Sequence, residues 1–242
     1  MKVAILETDV LRDNLKPTYV GYGRMFQDLF GRVGADWDMP IFSVINGEYP
    51  ATIDDFDAYL ITGSKHDAFA DDDWIVRLRD YSKQLFEAGK PLLGICFGHQ
   101  LLAHTLGGRA ERADAGWGLG VMQYEMHEQP DFIVNGENGA DTNGTVGLLV
   151  SHRDQVTELP PGAKRLLSNG FCPLAAFYIP GQVLCFQGHP EFNKDYERAL
   201  LEYRQDDVSR EQMQRIEASL TDEHEGERIG RWMKQFLEQA AR

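Results

Sequence analysis

Three cysteines in 242 residues are too few for a disulfide framework, and an odd number leaves one unpaired under any pairing. Cys96, Cys172 and Cys185 also lack the spacing of a zinc site, so neither a metal nor a cofactor is expected. Basic residues are scarce: 24 Lys and Arg stand against 38 Asp and Glu, a formal net charge of −14. Nucleic acid and anionic membrane surfaces would repel such a chain. No stretch approaches the ~20 consecutive apolar residues that cross a bilayer. The apolar start, Met1-Lys-Val-Ala-Ile-Leu-Glu7, is too brief for a signal peptide and reads as a first buried strand. Reduced thiols without a targeting segment point to the cytoplasm. There is no internal repeat and no low-complexity tract.

What is present suffices for one large α/β domain over residues 1–242, since 43% of the residues are hydrophobic. Tyr19 to Val33 has the apolar spacing of a helix, stopped by Gly34. Ile41 to Ile45 reads as a second strand before an Asn46-Gly47 turn, and Ala58 to Thr62 as a third. Asp71-Asp72-Asp73 looks like a metal site only in isolation; Trp74, Leu78, Tyr81 and Leu85 follow at helical spacing, so the run reads as a solvated loop and helix start. This alternation predicts a mainly parallel sheet with helices on both faces. Beyond Gly108, strands are expected at Trp117–His127, Thr145–Val156, Ala163–Ser168, Leu174–Ile179 and Val183–Gly188. A Gly- and Asn-rich loop over 135–144 and a Pro180-Gly181 turn link them into an antiparallel extension. The core is expected over 1–200 and a helical tail over 201–242, where Ile229, Trp232, Met233, Phe236 and Leu237 form an apolar stripe. That stripe packs on the domain or forms a homodimer face.

The chemistry gathers around Pro91 to Gly108. Leu92 to Ile95 fits a short buried strand, and Gln100 to Leu106 switches to helical period. Between them Gly94-Ile95-Cys96-Phe97-Gly98 has the form of a nucleophile elbow, in which flanking glycines relieve the crowding of a strained strand-to-helix turn. A cysteine there faces the amino end of a helix, which favours the thiolate, and the Phe97 N–H can serve an oxyanion. A buried cysteine alone is more often an inert small hydrophobe. Its partners decide the matter: His189-Pro190-Glu191 ends another apolar strand, and residues i and i+2 of an extended segment share a side, so Glu191 can orient His189.

Gly94-Ile-Cys-Phe-Gly-His-Gln100 together with Gly188-His-Pro-Glu191 resembles the class I, triad-type glutamine amidotransferases. The resemblance covers roughly residues 1–200 and implies their flavodoxin-like fold. It also implies a Cys96, His189, Glu191 triad that hydrolyses a γ-glutamyl amide through a thioester. The segment Tyr59-Leu-Ile-Thr-Gly-Ser-Lys-His-Asp67 is similar to the family's oxyanion loop, implying Gly63 as second donor beside Phe97. Gln100, Ser64 and His152, the last in a Ser-His-x-Asp segment, are the implied substrate contacts, with strand packing the plainer reading of His152.

Most amidotransferases deliver ammonia to a synthetase domain or subunit, so a separate synthetase is one partner this chain could have. The segments Tyr22-Gly-x-x-Phe26, Val44-Ile-Asn-Gly-Glu48 and Thr62-Gly-Ser-x-His-Asp-Ala-Phe69 resemble instead stand-alone members, including γ-glutamyl peptidases. Glutamine and a γ-glutamyl peptide both remain open as the small-molecule substrate. A non-catalytic regulatory module is the reading from another class, and the complete triad set speaks against it. His99 reads as structural or substrate-lining, His66 and Asp67 as lining the entrance, and His224, Cys172 and Cys185 as outside the chemistry.

Overall fold

The apolar run at the amino terminus becomes Val3–Glu7 (β1), flanked in parallel by Ile41–Ser43 (β2) and Ala58–Ile61 (β3). The computed structural model describes residues 1–133 and 144–241. Leu92–Ile95 (β4) and Val183–Phe186 (β11) continue the parallel set. Ala176–Ile179 (β10), Lys164–Ser168 (β9), Gly118–Met126 (β6) and Thr145–His152 (β7) then add antiparallel neighbours. The sheet order is β2-β1-β3-β4-β11-β10-β9-β6-β7, the mainly parallel sheet with an antiparallel extension that the alternation of patterns predicted.

Period-two alternation divides the core into two layers. Val3 and Ile5 face one side, where Phe26, Phe30, Trp232 and Phe236 cover them; Ala4 and Leu6 face the other, under Leu78, Leu85, Leu101 and Leu102. The first layer comes from Tyr22–Arg32 (α2) and Gly226–Ala240 (α7), the second from Asp73–Glu87 (α3) and Phe97–Thr105 (α4). Lys194–Leu201 (α5) and Arg210–Ser219 (α6) lie over the antiparallel half. Among the described residues, no helix is long and apolar enough to cross a membrane.

Several expectations change in detail. The helix drawn over Tyr19–Val33 is two: Lys16–Tyr19 (α1) and α2, broken at Val20, whose φ of 64° is rare for a β-branched residue. Glu7 explains the break, because its carboxylate accepts the Gly23 N–H at 2.9 Å, and a Cβ at Gly21 would stand 2.7 Å from that oxygen. The second strand stops at Ser43 and turns into a 3-10 helix, Val44–Asn46, which Gly47 closes at φ 80°. The strand expected over Thr145–Val156 divides at Arg153. Its second half, Asp154–Glu158 (β8), pairs with a strand that period alone did not reveal, Arg109–Arg112 (β5), in a separate ribbon. Of the loop expected at 135–144, all but Gly144 lies outside the described residues.

The tail is not an appendage. Ile229, Trp232, Met233 and Leu237 are fully buried and Phe236 nearly so, within this one chain. The apolar stripe therefore offers no face to a second copy. Upstream of it, Glu225 exchanges backbone and side-chain hydrogen bonds with Gly147 of β7.

Close approach of α4 to β3 depends on Gly98, whose Cβ would be driven into the Ile61 carbonyl oxygen. Gly98→Ala should cost about 1–3 kcal/mol through overpacking, read as a fall in Tm of about 2–4 °C per kcal/mol. Gly31→Ala, on α2 with nothing within 4 Å of its Cβ, should hold or raise Tm. Equal Tm values for the two variants would contradict the packing account.

Candidate active site

Parallel strands β1, β3, β4 and β11 end along one edge of the sheet, and ligands of open α/β sheets lie in the crevice beyond such ends. Register does the rest. Cys185 pairs with Gly94 and Phe186 with Ile95, so whatever follows β11 emerges beside Cys96. Cys96 itself takes φ 52° and ψ −100°, the strained elbow that its sequence setting predicts. Its N–H is held by the Phe186 carbonyl at 2.8 Å, and its own carbonyl receives the Gln100 N–H at 3.0 Å. Phe97 opens α4, and a first-turn N–H has no intrahelical acceptor. The Phe97 ring is fully buried and stacked on Trp74, with centroids 5.6 Å apart.

His189 and Glu191 follow β11, and both are buried. Nδ1 of His189 lies 2.7 Å from Glu191 Oε1. The imidazole stacks on Phe192 at 3.9 Å with planes 10° apart, so its orientation is fixed from two directions. Burial alone would lower its pKa; Glu191 and then the Cys96 sulfur outweigh it and raise the pKa to about 10. An imidazolium at neutral pH follows.

Gly63 closes the third side. A Cβ there would sit 2.7 Å from His189 Cε1 and 3.6 Å from Cys96 Cβ, so only glycine lets the loop approach both. Thr8 and Asp9, just past β1, hold this loop. The Thr8 hydroxyl lies 2.8 Å from the Gly63 carbonyl oxygen, and the Asp9 carboxylate accepts from the Lys65 N–H and Nζ, each at 2.9 Å. Because a peptide is planar and trans, a Gly63 carbonyl turned to Thr8 turns the Ser64 N–H the opposite way.

Cys96 stands where two cavities meet. The smaller, about 50 Å³, is lined by Gln100, His152, Asp154 and Trp117; the larger, about 510 Å³, by His189, Phe192, Tyr22 and Arg12. Ser64 lines both. His152 is buried, and its Nδ1 faces the Asp154 carbonyl at 3.0 Å, which makes Nδ1 the protonated nitrogen and leaves Nε2 an acceptor. Burial pushes its pKa down to about 4. Gln100 reaches the small cavity, but its NH2 donates to the Asp154 carbonyl at 2.9 Å and to Gln187 Oε1 at 3.1 Å. Only its oxygen is left for a ligand.

Gln187 is the residue that sequence reasoning missed. Fully buried, it turns its Nε2 toward Cys96 Sγ at 3.6 Å while its oxygen accepts from Gln100. The signal was available: Gln187 stands two residues before His189, on the same side of an extended segment. Phe192 was equally legible as the aromatic after Glu191. Thr8 and Asp9 were not, since only the β1–β3 pairing brings them to Gly63.

Other residues fall outside this cluster. His99 is buried against Phe177, its pKa pushed down to about 3 by burial. His224 donates from Nε2 to the Phe192 carbonyl at 3.0 Å and accepts the Leu149 N–H at 3.2 Å, which joins the tail to the His189 loop. Burial pushes the thiols of Cys172 and Cys185 up, the first to about 12. His66 lines the smaller cavity beside Asp67, which is held by Arg112 at 2.8 Å. Asp71 pairs with Arg79, and among the described residues no cluster of His, Cys, Asp or Glu could hold a metal.

Comparison with known proteins identifies the family and the fold. Residues 50–204 match the family model of "Glutamine amidotransferase class-I". The chain is 37% identical over 183 residues to gamma-glutamyl peptidase 3 of Arabidopsis thaliana, covering 75% of this chain and 73% of the relative. It is 42% identical over 110 residues to a GMP synthase [glutamine-hydrolyzing] of Thermus thermophilus, a match spanning 45% of this chain and 20% of that one. A glutamine amidotransferase from Thermotoga maritima superimposes with a TM-score of 0.75 at 18% identity, covering 99% of this chain and 97% of the other, which places the fold. With a family match across more than half its length and relatives at this identity, the chain belongs to the class I glutamine amidotransferases.

Proposed function

We propose that the protein hydrolyses γ-glutamyl amide bonds with Cys96 as nucleophile, His189 as acid and base, and Glu191 as the group that orients and charges the imidazole. The observation that carries this reading is the convergence of the three at adjoining strand ends, with His189 2.7 Å from Glu191 and Gly63 packed against both His189 and Cys96. The Cys96 thiolate attacks the γ-carbonyl carbon. N–H groups of Phe97 and of the Gly63-Ser64 loop receive the oxyanion, each such donor contributing roughly 3 kcal/mol to the transition state. The imidazolium gives its proton to the leaving nitrogen, the C–N bond breaks, and a thioester remains. Neutral His189 then takes a proton from water as the oxygen attacks, and loss of the thiolate releases the γ-carboxylate and restores the ion pair.

Gln187 supports the sulfur in this cycle as a positioning residue, its N–H aimed at the charge that the thiolate carries. His152, Gln100 and Ser64 are assigned to the glutamyl side. The gamma-glutamyl peptidase relatives favour a peptide substrate; glutamine, with ammonia passed to a separate synthetase, is the second reading, favoured by the GMP synthase match. We place the protein in the cytoplasm as one domain over residues 1–242, consistent with three unpaired cysteines.

Purified protein alone should release glutamate from γ-glutamyl dipeptides, and Cys96→Ala should lower that rate by at least about 10⁴-fold with the fold intact by circular dichroism. Activity retained in Cys96→Ala would overturn the assignment, and labelling of Cys96 by an electrophilic glutamine analogue without turnover would favour a partner-activated glutaminase. The alkaline limb of the pH profile comes from loss of the His189 proton. Its raised pKa keeps the imidazolium present below about 10 and loses it as pH rises through that value. Glu191→Gln removes the main raising cause, so the limb should shift to lower pH while KM changes little; an unmoved limb would remove Glu191 from the mechanism. Gln187→Leu loses a hydrogen bond to a charged sulfur, worth about 1.5–3 kcal/mol. It should slow both turnover and iodoacetamide alkylation of Cys96 by about 10- to 100-fold, and normal alkylation would mean that Gln187 only packs.

A further inference from the structure

The two cavities at Cys96 differ in size by a factor that bears on what leaves the enzyme. Given the proposed hydrolysis, on which this inference rests, the leaving nitrogen must lie on the His189 side, because His189 supplies its proton. His189 lines the large cavity and not the small one. Ammonia needs no more room than a water molecule, whose share of liquid volume is about 30 Å³. The space on that side is about 510 Å³, within the range of sites for small organic ligands.

Its charge is as informative as its size. In a chain with a formal net charge of −14, this cavity is lined by four cations, Arg12, Lys16, Lys65 and Arg204, and by two carboxylates, Asp9 and Asp13. Both carboxylates are taken: Asp9 holds Lys65 at 2.9 Å, and Asp13 holds Lys16 at 2.7 Å. Arg204 lies 4.0 Å over the Trp117 ring and donates to Asp207 at 3.2 Å, which leaves it a supporting contact. Arg12 has no carboxylate partner among the described residues; its guanidinium lies over the Tyr203 ring at 3.8 Å, which fixes its position and leaves its N–H edges open. Apolar and aromatic walls from Val10, Leu15, Tyr22, Tyr196 and Leu200 complete the space.

We infer that this cavity is a leaving-group subsite for an amino acid or short peptide with a free α-carboxylate, read by Arg12 with Arg204 in support, and with an apolar side chain. A guanidinium with open edges, held on an aromatic face, suits a planar carboxylate in bidentate fashion. Lys16 and Lys65 are excluded as the primary contact because each already has its own carboxylate. Arg12 lines the large cavity and not the small one, whereas Arg204 borders both, so Arg12 meets only the part of the substrate that departs. Its effect therefore belongs to acylation and is absent from hydrolysis of the thioester, which is common to all substrates.

The test compares γ-glutamyl-leucine with γ-glutamyl-leucine amide, identical except for the terminal charge, on wild type, Arg12→Gln and Arg204→Gln. Wild type should prefer the free acid by 10-fold or more in kcat/KM. Arg12→Gln should lose about 10- to 100-fold on the acid, mostly in KM, and less than 3-fold on the amide; Arg204→Gln should show a smaller loss of the same kind. Equal kcat/KM for acid and amide in wild type, or equal losses on both in Arg12→Gln, would overturn the subsite. Calorimetric binding of the same two compounds to Cys96→Ala and to Cys96→Ala with Arg12→Gln reads the subsite without chemistry. Tighter binding of the acid that is lost with Arg12 supports it even if no γ-glutamyl compound is turned over, an outcome that would defeat the hydrolase reading alone. Binding indifferent to the carboxylate rejects the subsite while leaving the hydrolase reading standing.

Discussion

The parallel pairing of β4 with β11 is the constraint on which the site depends. One strand ends at Ile95 and the other begins only at Val183, yet they hydrogen-bond in the middle of the sheet with Gly94 opposite Cys185. Because side chains alternate with a period of two, a slip of one residue would turn Gln187, His189 and Glu191 to the wrong side together. The register is protected by burial on both faces: Leu92 and Leu93, like Val183 and Leu184, divide between the two core layers, and every residue of both strands is buried. The geometry of the candidate site is thus set by the same apolar contacts that stabilise the sheet.

Strain concentrates where those strands end. Cys96 holds a left-handed φ that glycine would adopt at lower cost, and the surroundings over-determine it: Phe186 and Gln100 hold its peptide groups, and glycines at 94 and 98 clear space on either side. Around it the loops are fixed by polar contacts more than by packing. Thr8 and Asp9 hold the Gly63 to Lys65 loop, while His224 and Glu225 tie β7 and the His189 loop to the tail. The tail therefore contributes to the rigidity of the site, and its Tyr203 and Arg204 line the cavity that Cys96 borders.

Much of this was legible in the sequence, for identifiable reasons. Strands buried on both faces read as short apolar runs, so β1, β3, β4 and β11 were located to within two residues at each end. The elbow was readable because its glycines have a local steric purpose. What escaped was what depends on distant partners. Val20 looks helical, but Glu7, sixteen residues before Gly23, caps α2 and breaks the run. Arg109–Arg112 carries charges on three of its four residues and becomes a strand only because β8 peels away from β7 to meet it. Gln187 gave the right signal in position but not in chemistry, since an amide beside a cysteine sulfur has no motif of its own.

A buried imidazolium is costly, and its persistence here indicates how the site separates its two tasks. Desolvation disfavours the charge, yet Glu191 at 2.7 Å and the sulfur overcome it, so in the proposed hydrolysis the acid for the leaving nitrogen is available before substrate arrives. On the opposite side His152 is buried without such a carboxylate and stays neutral, its free nitrogen an acceptor. Two histidines thus border Cys96, one charged toward the large cavity and one neutral toward the small one. An acceptor suits a ligand that brings donors, as the amino end of a glutamyl group does; a proton donor suits a nitrogen that must depart. Environment, more than residue type, sets the two histidines apart, and in the proposed hydrolysis the acyl group lies on one side of Cys96 and the amine on the other.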